Sequence, residues 1–131
     1  MGLDNGIEIK RNDKSLSIYD KIQRFEREWD KKYQYDFEVC YWRKCWNVRH
    51  RIAMAIGGIY DNLYTPLKRD DIAKIINELK SFNQYNWDDD GGSIWEWVEQ
   101  EEFIKQHIEN LEYVYELMGE HDIDVFFYDS Y

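Results

Sequence analysis

The two segments that read most clearly as β-strands lie at opposite ends of this 131-residue chain. Near the start, Ile7 and Ile9 alternate with Glu8 and Lys10, the period-two pattern of a half-buried strand. Near the end, the run Ile123 to Tyr128 is β-branched and aromatic, a composition suited to a pleated surface. An isolated strand leaves a row of backbone groups unpaired. The two ends are therefore expected to pair antiparallel and to close the chain on one small sheet.

Between them the apolar spacing is helical. Ile18, Ile22, Phe25 and Trp29 form one stripe, with Ser17 as a candidate N-cap. Val39, Trp42, Trp46, Arg49, Ala53 and Ile56 repeat at three and four, which predicts a helix over Tyr35 to Ile56 with Asp36 as N-cap and Gly57-Gly58 as its stop. Ile59 to Pro66 reads as a connector. A third helix is expected from Asp70 to Phe82, carrying Ile72, Ile75, Ile76, Leu79 and Phe82 on one face. Asn83 to Ser93 reads as a loop, and Ile94 to Val98 is open between strand and helix start. A last helix is expected through Ile104, Ile108, Leu111, Tyr115 and Met118, stopped by Gly119. The expected fold is α+β and mostly helical: about four helices and one small antiparallel sheet, in a single domain over residues 1–131.

Composition excludes several classes. An apolar fraction of 44% argues against disorder. No apolar run approaches the roughly 18 residues of a membrane span, and no signal peptide is recognisable, so a cytoplasmic protein is expected. The net charge of −10 argues against direct nucleic-acid binding, which needs a basic footprint. Cys40 and Cys45 do not make a zinc spacing with His50, His107 or His121. The stretch from Asn86 places Trp97 where a calcium loop needs Glu. No Ser-His-Asp arrangement, phosphate loop or GxGxxG motif is present. No catalytic residue, metal or cofactor is assigned, and binding is favoured over catalysis.

Two groups of residues stand out as binding candidates. Cys40 to Arg51 is the one strongly basic stretch of an acidic chain. There Tyr41, Arg43, Lys44 and His50, together with Asp4, suggest an anion or nucleotide site in which a guanidinium grips phosphate beside an aromatic face. The bland alternative places the tryptophans in the core and pairs Arg43 with a carboxylate such as Asp4 or Glu38. In the second half of the chain, Trp87, Asp88, Asp89, Asp90, Trp95 and Trp97 combine aromatics with carboxylates, the chemistry of a contact surface for a basic protein. A charged, soluble helix surface is the bland reading there.

Met1-Gly2-Leu3-Asp4 at the start, Glu38-Val39-Cys40-Tyr41-Trp42-Arg43-Lys44 in the middle and the aromatic end Asp124 to Tyr131 occur in that order. In these islands the chain resembles a family of small bacteriophage and prophage proteins of uncharacterised function that begin MGLD, carry a YWRK helix and finish with an aromatic strand. Where the family pattern has His after YWRK, this chain has Arg49. The resemblance implies a phage accessory protein in the bacterial host cytoplasm, but no activity to transfer. The expected function is protein binding, in its concrete version a counter-defence, anti-CRISPR-like inhibitor whose acidic surface mimics DNA towards a basic nucleic-acid-binding bacterial protein. The alternatives are a nucleotide or anion site on the YWRK segment, with or without turnover, and a structural phage module.

Overall fold

A computed structural model describes residues 3–10, 36–60, 63–88, 94–120 and 123–131. The helix expected over Ile18 to Trp29, with its Ser17 cap, lies outside the described residues, as do Asp89 and Asp90. The described elements are β1 (Asp4–Lys10), β2 (Asp36–Arg43), α1 (Trp46–Ile56), β3 (Tyr64–Leu67), α2 (Arg69–Lys80), α3 (Trp97–Glu120) and β4 (Val125–Ser130). The four strands form one antiparallel sheet in the order β2-β1-β4-β3. The class is α+β, with three helices among the described residues instead of about four.

The terminal strands pair as their patterns require, Asp4 opposite Ser130 through Ile9 opposite Val125. Strand β1 also pairs along its other edge with β2, Asp4 opposite Arg43 and Ile7 opposite Cys40, with a bulge between Ile7 and Glu8. This corrects the long helix expected over Tyr35 to Ile56. Its first half is β2, so Trp42, Trp46 and Arg49 do not share a helix face, and Asp36 is a strand residue, not an N-cap. The run is aromatic and β-branched, and it fits a period of two as well as one of 3.6. Pairing with an otherwise open β1 edge decides between them. Lys44, in the left-handed region at φ 56°, separates β2 from α1.

The connector expected over Ile59 to Pro66 also contains a strand. In β3, Thr65 and Leu67 are buried while Tyr64 and Pro66 face outward. Pro66 lacks an N–H and so suits a strand at the sheet edge. Helix α2 buries Ile72, Ile75, Ile76 and Leu79 of its expected stripe, while Phe82, the expected last member, is buried beyond the helix end at Lys80. At its start the Asp71 carboxylate accepts from the Lys68 backbone N–H at 2.9 Å. Gly57 caps α1 in the left-handed conformation at φ 82°. Gly119 does not stop α3, which runs to Glu120. Its missing Cβ instead leaves room for the Arg69 guanidinium.

One face of the sheet, carrying Ile7, Ile9, Val125 and Phe127, joins all three helices in one buried cluster. The other carries Asp4, Glu8, Tyr41, Arg43 and Tyr128. There the Tyr128 ring crosses above Gly6, and its hydroxyl donates to Glu38 on β2 at 3.2 Å. A Cβ on Gly6 would stand 2.3 Å from the Cys40 carbonyl oxygen and 2.7 Å from the Tyr128 ring. Gly6→Ala is therefore expected to destabilise the fold by about 3 kcal/mol and lower Tm by on the order of 10 °C. Thermal denaturation followed by circular dichroism would check this; an unchanged Tm would contradict the crossing.

Candidate functional site

The helix expected to carry the YWRK sequence is a strand end and a turn, and this change brings the motif to a pocket. Tyr41 and Arg43 stand on the outer face of β2, opposite Gly6 and Asp4. Trp42, between them, turns inward and is buried. The N-terminal part of α3 lies alongside β2. Tyr41, Trp42 and Arg43 form one wall of a pocket of about 280 Å³, and Trp95, Glu99, Gln100 and Phe103 form the other.

Side chains from α3 and the preceding loop hold β2 in place. Asn110 Nδ2 donates to the Val39 carbonyl at 3.0 Å, and Trp95 Nε1 donates to the Arg43 carbonyl at 2.9 Å. These bonds satisfy acceptors on the strand edge turned away from β1. The pocket opens at Tyr41, between the two. The Tyr41 hydroxyl donates to Asp4 Oδ1 at 2.6 Å. Partial burial, the Asp4 hydrogen bond and the Asp4 charge together push the Tyr41 phenol up to about 12. It therefore serves as a donor and aromatic wall at neutral pH, not as a base.

The expected ion pair between Asp4 and Arg43 is not formed, although the two residues are register partners. Asp4 is engaged by Tyr41. Among the described residues no carboxylate lies within ion-pair distance of Arg43, whose exposed guanidinium lines the pocket. Lys44 is in the turn after β2 and His50 is exposed on α1; neither lines the pocket. The anion-site candidates are thus split: Asp4, Tyr41 and Arg43 come together, while Lys44 and His50 do not join them.

The acidic-aromatic candidates divide as well. Trp87 is 1% exposed and packs on Phe82 at 5.0 Å and Trp97 at 5.5 Å. It is a core residue and cannot be a partner contact, because the flanking aromatics and the helices enclose its ring. Its Nε1 donates to the Trp95 carbonyl at 2.7 Å, which ties the loop to the base of α3. Trp97 is half-buried against the core. Asp88 and Trp95 are exposed. Sequence reasoning missed Phe103, which is 61% exposed and stands one turn after Glu99 in the pocket wall. The available signal was an aromatic residue just off the expected apolar stripe of Ile104, Ile108 and Leu111. Ile94 and Val98 are also well exposed but do not line the pocket.

Behind the pocket, His107 is buried on α3 with its ring 4.9 Å from that of Trp42, edge to face. Burial holds its pKa down at about 4. Farther along the sheet, Arg49 of α1 binds Asp129 of β4, with Nη2 at 2.8 Å and Nε at 2.9 Å from Oδ2. The Arg49 guanidinium also stacks on Trp46 and Tyr131. No cluster of three or more His, Cys, Asp or Glu among the described residues could hold a metal ion. No described helix is long and apolar enough to cross a membrane. No protein-family model matches the chain, and no curated protein or solved structure matches it.

Two outcomes follow. Because His107 is neutral when folded and protonates more readily when unfolded, its contribution is present above pH 6.5 and lost as pH falls towards 4, about 3 kcal/mol in all. Urea denaturation across that window should show a larger loss for wild type than for His107→Gln; parallel curves would contradict it. Arg49→Ala leaves the Asp129 carboxylate buried without its partner, and is expected to cost about 3–5 kcal/mol in the same measurement.

Proposed function

We propose that this chain works by binding another protein, and that the pocket between β2 and α3 is the centre of the contact. The observation that carries this reading is the pair of exposed aromatics Trp95 and Phe103 lining an open pocket with Tyr41, on a chain of net charge −10. Single exposed apolar residues are ordinary, whereas a group of this kind at a concave site marks an interaction surface. Glu99 lines the pocket, and Glu96 and Glu102 are exposed on the same segment, so the complementary partner is basic. A basic nucleic-acid-binding bacterial protein fits, in the counter-defence role that the resemblance to phage proteins suggests.

Charge density limits how far DNA mimicry can go. Glu102, Glu109, Glu112, Glu116 and Glu120 are all exposed on one side of α3. They extend along roughly 27 Å of helix, about one charge per 7 Å, against one per ~1.7 Å in duplex DNA. Lys105 reduces this further, at 3.4 Å from Glu101 and 3.6 Å from Glu102. The stripe supports steering of a basic partner, while the pocket aromatics supply the contact energy. A second reading, a small planar anion held by Arg43 between aromatic walls, is favoured by the absence of an ion-pair partner for Arg43 among the described residues.

Pull-down of tagged protein from a bacterial lysate, at low and high salt, tests the first reading. One basic nucleic-acid-binding protein should be recovered at low salt and lost at high salt. Phe103→Ala, which removes an exposed ring, should weaken its binding at least tenfold with little change in Tm. Recovery that is insensitive to Phe103→Ala, or no specific partner, would sink the reading. A ligand whose binding depends on Arg43 but not on Phe103 would favour the second.

A further inference from the structure

The core face of the sheet carries a polar cross-strand row beside the apolar Ile7, Ile9, Val125 and Phe127. Asn5 on β1 is the register partner of Trp42 on β2 and of Asp129 on β4, so the three residues stand side by side across three strands. They are 0%, 2% and 3% exposed. Both polar atoms of the Asn5 amide, the Trp42 Nε1 and the Asp129 Oδ1 have no hydrogen-bond partner among the described residues. The other Asp129 oxygen is occupied by Arg49.

Unpaired polar atoms are individually uncommon in protein interiors, and four in one row call for a common partner. Their chemistry selects it. Trp42 Nε1 and Asn5 Nδ2 donate, while Asn5 Oδ1 and Asp129 Oδ1 accept. An anion would face the Asp129 carboxylate. A metal ion would face the indole and amide N–H groups, with Arg49 close by. An apolar guest would satisfy none of these atoms. Water both accepts and donates, and buried water commonly makes about three such bonds. Exchanging the two ends of the Asn5 amide leaves the argument unchanged, since both ends are unpartnered.

We infer that the Trp42–Asn5–Asp129 row is an internal hydration site. Bound water accepts from Trp42 Nε1–H and the Asn5 amide, and donates to Asn5 Oδ1 and Asp129 Oδ1. The site lies behind the pocket wall formed by Trp42 and reaches the Arg49–Asp129 pair, so it joins the β2 edge to α1 through the sheet. It does not depend on what fills the pocket.

The test uses the wild-type protein, labelled with nitrogen-15 and assigned by sequential resonance methods. Water-to-protein cross-relaxation is measured at the six tryptophan indole N–H groups and at the Asn5 side-chain amide. Trp42 Nε1–H and the Asn5 amide are expected to show cross-peaks to long-lived water. Trp87 Nε1–H, which donates to the Trp95 carbonyl, is the internal control and should show none. Loss of those cross-peaks at both Trp42 and Asn5, or a crystal structure with Asn5 bonded directly to Asp129 and no water at Trp42 Nε1, would overturn the assignment.

Discussion

The fold depends on β1 being hydrogen-bonded along both edges. It is the first described strand, yet its partners are the strand that follows residues 11–35 and the strand at the far end of the chain. Antiparallel pairing to β4 closes a loop of more than a hundred residues, which has an entropic cost that local contacts cannot offset. The offsetting terms are the ladder bonds and the burial of Ile7, Ile9, Val125 and Phe127 against the helices. Gly6 makes this close packing feasible on the opposite face, where the Tyr128 ring crosses β1 to meet Glu38.

The same arrangement places the candidate site. Because β2 is held by β1 on one edge, its other edge faces α3 and is satisfied at intervals by Asn110 and Trp95. The gap between those two bonds is the pocket. Strand alternation then assigns roles within the YWRK sequence: Trp42 points to the core, while Tyr41 and Arg43 stay outside. On a helix, Trp42 and Arg43 would have been adjacent around one cylinder, and Asp4 would have had no register relation to either.

Buried polar chemistry is concentrated on a few residues. His107, Asn5, Asp129 and Trp42 lie within or beside the core and are joined through the sheet and α3. Arg49 stabilises Asp129, and its stacking between Trp46 and Tyr131 ties α1 to the chain end. A carboxylate near the end of β4 and a guanidinium on α1 thus tie the last strand to the first described helix. Truncating either partner leaves the other in an environment that disfavours a lone charge.

The sequence by itself determined the terminal strands, the stripe of α2, the Gly57 cap and the α+β class, because each is written in local periodicity or in a conformational preference; on α3 it placed Ile104 and Leu111, whereas Val114 and Leu117 are buried where Tyr115 and Met118, both only partly buried, were expected. It did not determine β2, since Val39, Trp42, Trp46 and Arg49 satisfy a helical period while Phe37, Val39 and Tyr41 satisfy an alternating one. That choice belongs to the open edge of β1, a partner distant in the chain. β3 escaped notice for a related reason: Pro66 reads as a loop signal until the strand is known to lie at an edge. Trp87 looked like a contact residue because its neighbours are acidic, and only the packing of Phe82 and Trp97 around it decided otherwise. The pocket was likewise a tertiary outcome, since Tyr41 and Phe103 are far apart in the chain and meet only when α3 is laid along the free edge of β2.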